Sequence, residues 1–214
     1  MTHPFLTRLQ VALAQPLPGQ AAQFKLAHTV RQQFPPPTAD ARRAGVLALF
    51  YPNDRQVYGR NNVNLIFIQR SSREPRDRHA GQISFPGGSL EAHDANLAAT
   101  AIRETEEEIG VPAAAIELVG PLTELFIPVS NFLVSPYVGF TAARPDFILQ
   151  PTEVDAVLEV PFADFLQPTA RQLMDKRLGN GITLKDTPYW AVGGHEIWGA
   201  TAMITSEIVE LLRG

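Results

Sequence analysis

The chain has 214 residues, 45% of them hydrophobic, and a formal net charge of −4. That length and composition support one substantial core, and the negative balance offers no basic footprint for nucleic acid, so a small-molecule partner fits better. No cysteine is present, which excludes disulfides, thiolate catalysis and cysteine-ligated zinc while leaving oxygen-ligated metals open.

Phe5, Leu6, Leu9 and Leu13 recur at helical spacing and predict an amphipathic helix over residues 3–15. Its polar face carries little Lys or Arg, and no charged leader precedes a long apolar run, so a soluble cytoplasmic protein without membrane association is expected. Pro16, Pro18 and Gly19 end that helix, and a second is expected over residues 20–33, before the Pro35-Pro36-Pro37 run. Residues 1–40 thus form a helical extension packed on a body of residues 41–214.

From Ala44 onward the pattern turns β-rich. Strands are expected at 46–51, 63–69 and 82–85, then a helix, then strands at 116–125, 132–140 and 154–160. A short helix at 163–167, strands at 182–184, 189–192 and 196–198, and a closing helix at 200–212 complete the reading. The strands do not alternate regularly with helices, which favours a mixed sheet between helices over a doubly wound one. The terminal helices suit either of two roles, covering a homodimer interface or closing the core.

The segment FPGGSLEAHDANLAATAIRETEEEIGV, residues 85–111, carries the chemistry. A helix turns about 100° per residue, so Glu104, Glu107 and Glu108 share one face, opposite a mostly apolar stripe of Ala98, Ala101, Ile102, Thr105 and Ile109. Asp94 is placed to cap the helix and Gly110 to stop it. Like charges at this spacing cost roughly 0.2–0.5 kcal/mol per pair, and carboxylate oxygens suit Mg²⁺ or Mn²⁺. An acidic run alone equally suits a solvated face. What favours the metal is the preceding Gly87-Gly88 pair, which permits a tight turn and close backbone approach.

Those residues resemble the Nudix box, G-x5-E-x7-R-E-U-x-E-E-x-G-U, with U apolar. Arg103 to Val111 match its second half, with Thr105 in an apolar slot. The first half departs, since its glutamate and glycine positions fall on Ala95 and Ser89; the spacing Gly88-x5-Asp94-x8-Arg103 restores a glycine and a carboxylate. That variant is similar to the coenzyme A pyrophosphatase branch. So is the upstream run, in which LIFIQRS at 65–71 leads to HAGQISFPGG at 79–88, across a loop longer than usual for that branch.

The resemblance implies an α/β/α sandwich with a mixed β-sheet over residues 41–214, and metal-dependent hydrolysis of a diphosphate. Coenzyme A or an acyl-CoA is the leading substrate, with 4′-phosphopantetheine (or its acyl form) and adenosine 3′,5′-bisphosphate as products. It implies Glu104 and Glu108 as ligands of Mg²⁺ or Mn²⁺, and Glu107 as a further ligand or the water-orienting base. Glu153 is a second candidate base and Glu124 a weaker one, while Arg103 is expected to hold a neighbouring carboxylate. Arg70, Arg73, Arg76, Arg78, His79, Gly87 and Gly88 are candidate substrate contacts, and solvated loop arginines are an equal alternative reading. His195 is expected to tie the C-terminal strands together. Phe126, Phe132, Tyr137 and Trp190 are candidates for stacking on adenine or for plain core packing. Two alternative functions stand beside this one. The first is hydrolysis of another nucleoside diphosphate derivative, such as ADP-ribose, NADH, a dinucleotide or an oxidised nucleotide. The second is a nucleotide-binding regulator without turnover.

Overall fold

A computed structural model describes residues 2–53, 62–73, 79–178 and 181–213. The strand β1 (Arg42–Pro52) is buried along most of its length, because both of its faces are covered. Leu47, Leu49 and Tyr51 face one way and pack with Ile66 and Ile68 of β2 (Val63–Arg70) against Ala101 and Ile109 of α3 (Leu97–Ile109). Ala48 and Phe50 face the other way and pack with Leu65 and Phe67 against Ile204 and Ile208 of α4 (Gly199–Leu211). Alternation along a strand assigns each set to its own helix, and the result is a sandwich.

The sheet is mixed, as expected. β1 runs parallel to β7 (Phe132–Phe140) and antiparallel to β2, which on its other edge pairs with β8 (Val154–Pro161). β1 and β2 are paired only where Phe50–Pro52 meets Val63–Leu65. Farther along they part, and the gap holds β3 (Ile83–Ser84) on β2 and β4 (Gly87–Ser89) on β1. Gly87 and Gly88 are therefore strand residues and not the expected tight turn. The close approach is real: Gly87 has φ of 153°, and a Cβ there would lie 2.6 Å from Val46 Cα.

Several elements differ from the pattern-based expectation. The helix foreseen at 20–33 breaks into α2 (Gly19–Gln23) and two 3-10 turns, Phe24–Leu26 and Thr29–Gln33, because Ala27 leaves helical backbone at ψ 138° and the His28 ring caps the Val30 amide. The strand foreseen at 116–125 is two, β5 (Glu117–Pro121) and β6 (Leu125–Ile127), both on β7. Between them Thr123 turns aside to donate its N–H and hydroxyl to Glu207 of α4, at 3.2 and 2.6 Å. The helix foreseen at 163–167 is a 3-10 turn, Phe162–Leu166.

A second sheet comes next, of β9 (Arg171–Arg177), β10 (Thr183–Val192) and β11 (His195–Trp198). β9 was not foreseen, since its RQLMDKR sequence is that of a charged, exposed edge strand without apolar alternation. β10 merges two expected strands across an irregularity where Asp186 takes φ of 53°. Trp190 is fully buried, bonds the Ala202 carbonyl through Nε1 at 3.1 Å and meets Phe165 edge-on, so it is core and not a base-stacking platform.

The terminal segments meet each other. The helix α1 (Pro4–Leu13) buries Phe5, Leu6 and Leu9, and Gln23 of α2 donates to the buried Glu207 at 2.9 Å. Lys25 and Arg171 both pair with Glu210 of α4. Among the described residues no helix is long and apolar enough to cross a membrane.

Candidate active site

Helix α3 begins at Asn96, whose Oδ1 accepts the Ala99 N–H at 2.9 Å, and ends at Gly110 with φ of 72°. The expected stop is observed, whereas the expected cap is not. Asp94 instead binds Arg103: its two oxygens accept Nε at 2.9 Å and Nη2 at 3.0 Å, and Oδ2 also takes the Thr100 hydroxyl. Arg103 is the hub here. Its Nη1 lies 3.0 Å from Glu104 Oε1 and 2.9 Å from Glu107 Oε2, and Nη2 reaches the Ser89 carbonyl. The Arg103 fork holds the Asp94 carboxyl well below the usual carboxylate range.

Three carboxylates converge: one oxygen each from Glu104, Glu108 and Glu153 lie within 4.8 Å of one another. Glu104 and Glu108 come from α3, while Glu153 arrives from the loop before β8. Glu107 stands outside this group, with its side chain 57% exposed and turned to Arg103. Helical rotation is the reason. Glu107 and Glu108 diverge by about 100° on opposite sides of Glu104, and only Glu108 is on the side of the sheet.

Glu108 is 2% exposed, accepts the Gly87 N–H through Oε2 at 2.9 Å, and has Oε1 3.9 Å from Arg70 Nη1. Burial raises its pKa to about 8; the Gly87 amide and Arg70 oppose that rise, and Glu104 and Glu153 add to it. Burial likewise raises Glu104, against the pull of Arg103. A Cβ at Gly88 would overlap the Glu104 carboxylate, so glycine there lets the strand lie on the cluster. Crowded, partly desolvated carboxylates with only oxygen donors are what a hard divalent cation would relieve, and these residues fit Mg²⁺ or Mn²⁺.

The remaining candidates divide. The Arg70 carbonyl accepts the Gly81 N–H at 3.0 Å and its N–H donates to Gln82 O at 2.9 Å, which pins the His79 turn to the end of β2. The His79 ring Nδ1 is 3.1 Å from Gln82 Oε1. Arg73 is turned to the Pro151 carbonyl at 2.8 Å, and Arg76 and Arg78 lie outside the described residues. Glu124 joins Arg43 and Ser135 and is absent from the three-carboxylate group. Phe132 lies beneath the Arg42 guanidinium, and His195 pairs with Val192 between β10 and β11. A cavity of about 410 Å³ lined by Tyr51, Asn53, Asn64, Arg144 and Glu159 sits at the other end of β2, away from the carboxylates. The Asp94–Arg103 pair and the membership of Glu153 were the parts hardest to foresee. The realigned spacing of the box pointed to the first, and the resemblance named Glu153 as a candidate base but not as a member of the carboxylate group.

The family model for the NUDIX domain matches residues 41–178. The chain belongs to the Nudix family. Curated relatives include an uncharacterised Nudix hydrolase, NudL, of Salmonella paratyphi B, 33% identical over 180 residues, covering 84% of this chain and 87% of the relative; the NudL of Salmonella newport matches equally. Among solved structures, the Nudix hydrolase RenU of M. smegmatis superposes with a TM-score of 0.55 at 13% identity, over 81% of this chain and 86% of that one, which shows the shared fold. Family and relatives together make the protein a Nudix pyrophosphohydrolase of a nucleoside diphosphate derivative.

Proposed function

We propose that the protein hydrolyses the diphosphate of coenzyme A or an acyl-CoA, releasing 4′-phosphopantetheine or its acyl form together with adenosine 3′,5′-bisphosphate. The observation that carries the reaction type is the convergence of Glu104, Glu108 and Glu153 beside the Gly87–Ser89 strand. In this reading those three residues hold Mg²⁺ or Mn²⁺, which when bound neutralises charge on the diphosphate and lowers the pKa of water. Arg103 keeps Glu104 in place through its fork on Asp94. Glu107 accepts the proton of the attacking water at Oε1, which makes no hydrogen bond among the described residues because Arg103 takes Oε2. Arg70, 3.9 Å from Glu108, and His79, on the turn that the Arg70 backbone holds, meet the phosphates.

The choice of coenzyme A rests on the RS run at 70–71 and the HxGxxxFPGG run at 79–88, which supply Arg70, 3.9 Å from Glu108, and Gly87 and Gly88 against Glu108 and Glu104. Its test is a panel of coenzyme A, ADP-ribose, NADH and diadenosine polyphosphates at one Mn²⁺ concentration, with product identified by chromatography. Coenzyme A is expected to rank first by kcat/KM and to yield adenosine bisphosphate. A ranking that puts it last overturns the substrate, and no turnover of any of them favours a binding regulator.

A further inference from the structure

Glu153 reaches the Glu104 and Glu108 carboxylates from a loop, and a loop side chain keeps such a position only if its backbone is held. β8 pairs with β2 in step from Asn64 opposite Pro161 to Gln69 opposite Ala156, then skips, so that Arg70 stands opposite Val154. Asp155 is the extra residue of that bulge. Bulges of this kind bend a strand and re-aim its neighbouring side chains. At this point the Ser71 N–H donates to Glu153 O at 2.8 Å, the Ser72 N–H to Asp155 Oδ2 at 3.3 Å, and Arg73 Nη1 to Pro151 O at 2.8 Å. The buried Ser71 accepts the Arg73 N–H through Oγ at 3.3 Å, which sets the course of the chain toward that carbonyl. From the other side the loop hangs on the end of α3, with Gln150 N–H on Glu108 O at 2.9 Å and Ile148 N–H on Ile109 O at 3.0 Å.

We infer that Arg73 and Asp155 are positioning residues, a latch that holds the Glu153 loop against α3 and so sets the cation affinity of the three-carboxylate cluster. The inference rests on the proposed binding of a divalent metal by that cluster. Without the latch the α3 side of the loop stays anchored while the Glu153 side is left with the backbone bond from Ser71 and without its side-chain tethers, and the third carboxylate must be ordered anew each time a cation binds. In this assignment Arg73 acts through the Pro151 carbonyl and not as the substrate contact the sequence also allowed. Both side chains are exposed, so replacing either leaves the core intact.

The test is Mn²⁺ binding to the full chain without substrate, followed by electron paramagnetic resonance of the free ion, together with hydrogen exchange at the Ser71 and Val154 amides. Arg73→Ala and Asp155→Ala are each expected to weaken Mn²⁺ binding about tenfold, the usual scale for a group supporting a metal ligand, and to speed exchange at Ser71. Arg73→Lys keeps a donor and Asp155→Asn an acceptor, so both recover most of the affinity. At saturating Mn²⁺ the KM of Arg73→Ala stays within about twofold of wild type, as expected of a side chain that meets no substrate. Unchanged Mn²⁺ affinity in Arg73→Ala, or a raised KM with affinity intact, overturns the latch. Wild-type protein that takes up no Mn²⁺, or Glu108→Gln that takes it up as well as wild type, refutes the metal reading instead, and the latch with it.

Discussion

The Glu108 carboxylate, inside the protein, accepts the Gly87 amide hydrogen at 2.9 Å. That bond ties the acidic helix, through the glutamate that faces inward, to the strand that fills the gap between β1 and β2. A buried carboxyl that accepts one backbone N–H in so dry a place is poised for a stronger partner.

Glu108→Gln keeps the shape and the Gly87 contact while removing the charge. Turnover is expected to fall by orders of magnitude, with Mn²⁺ affinity falling alongside it, read by steady-state assay and metal titration. Wild-type turnover in this variant would remove Glu108 from the chemistry.

Because burial lifts the Glu108 pKa to about 8 in the folded protein, the native state keeps a proton that the unfolded chain releases near the ordinary value of 4.5. Stability from this group therefore falls as pH rises through that window, and metal binding, which displaces the proton, restores it. Thermal unfolding in EDTA and in Mn²⁺ at pH 5 and pH 8 should show the larger metal-induced rise in Tm at pH 8. Equal rises at both would argue against a protonated Glu108.

Arg103→Lys replaces a planar fork that serves Asp94, Glu104 and Glu107 with a single ammonium. About a tenfold drop in kcat is expected. Asp94→Asn should act in the same direction, and the double variant should be little worse than either alone, since the two residues form one unit. Additive losses would mean that Arg103 works independently of Asp94.

Glu107→Gln separates proton transfer from metal binding. The expected result is a drop in kcat of roughly a hundredfold with Mn²⁺ affinity within about twofold of wild type. A parallel loss of affinity would make Glu107 a ligand after all.

Glu207 of α4 ties α2 and the turn at Thr123 together from inside the fold, taking hydrogen bonds from Gln23 and Thr123. Glu207→Ala removes the acceptor of three hydrogen bonds, from buried Gln23 and half-buried Thr123, for a loss of about 3 kcal/mol in urea unfolding. Mn²⁺ affinity should be unaffected, because the three-carboxylate cluster lies on the other face of the sheet. Wild-type stability would show that the network is dispensable.

Local periodicity is a property of the chain alone, and whatever depends on it was legible in the amino-acid order. β7 at Phe132–Phe140, the helices α1, α3 and α4, the Gly110 stop and the shared face of Glu104 and Glu108 all arise from residue spacing. Strand pairing, and the groups it brings together, depends on contacts between segments far apart. Only folding could show that Gly87-Gly88 is a strand, that 116–125 breaks where Thr123 meets Glu207, or that Asn96 and not Asp94 caps the helix. The same holds for Glu153. Its place beside Glu108 is decided by a one-residue bulge opposite Arg70, because such a bulge shifts the register by one side chain and no pattern within QPTEVDA marks it.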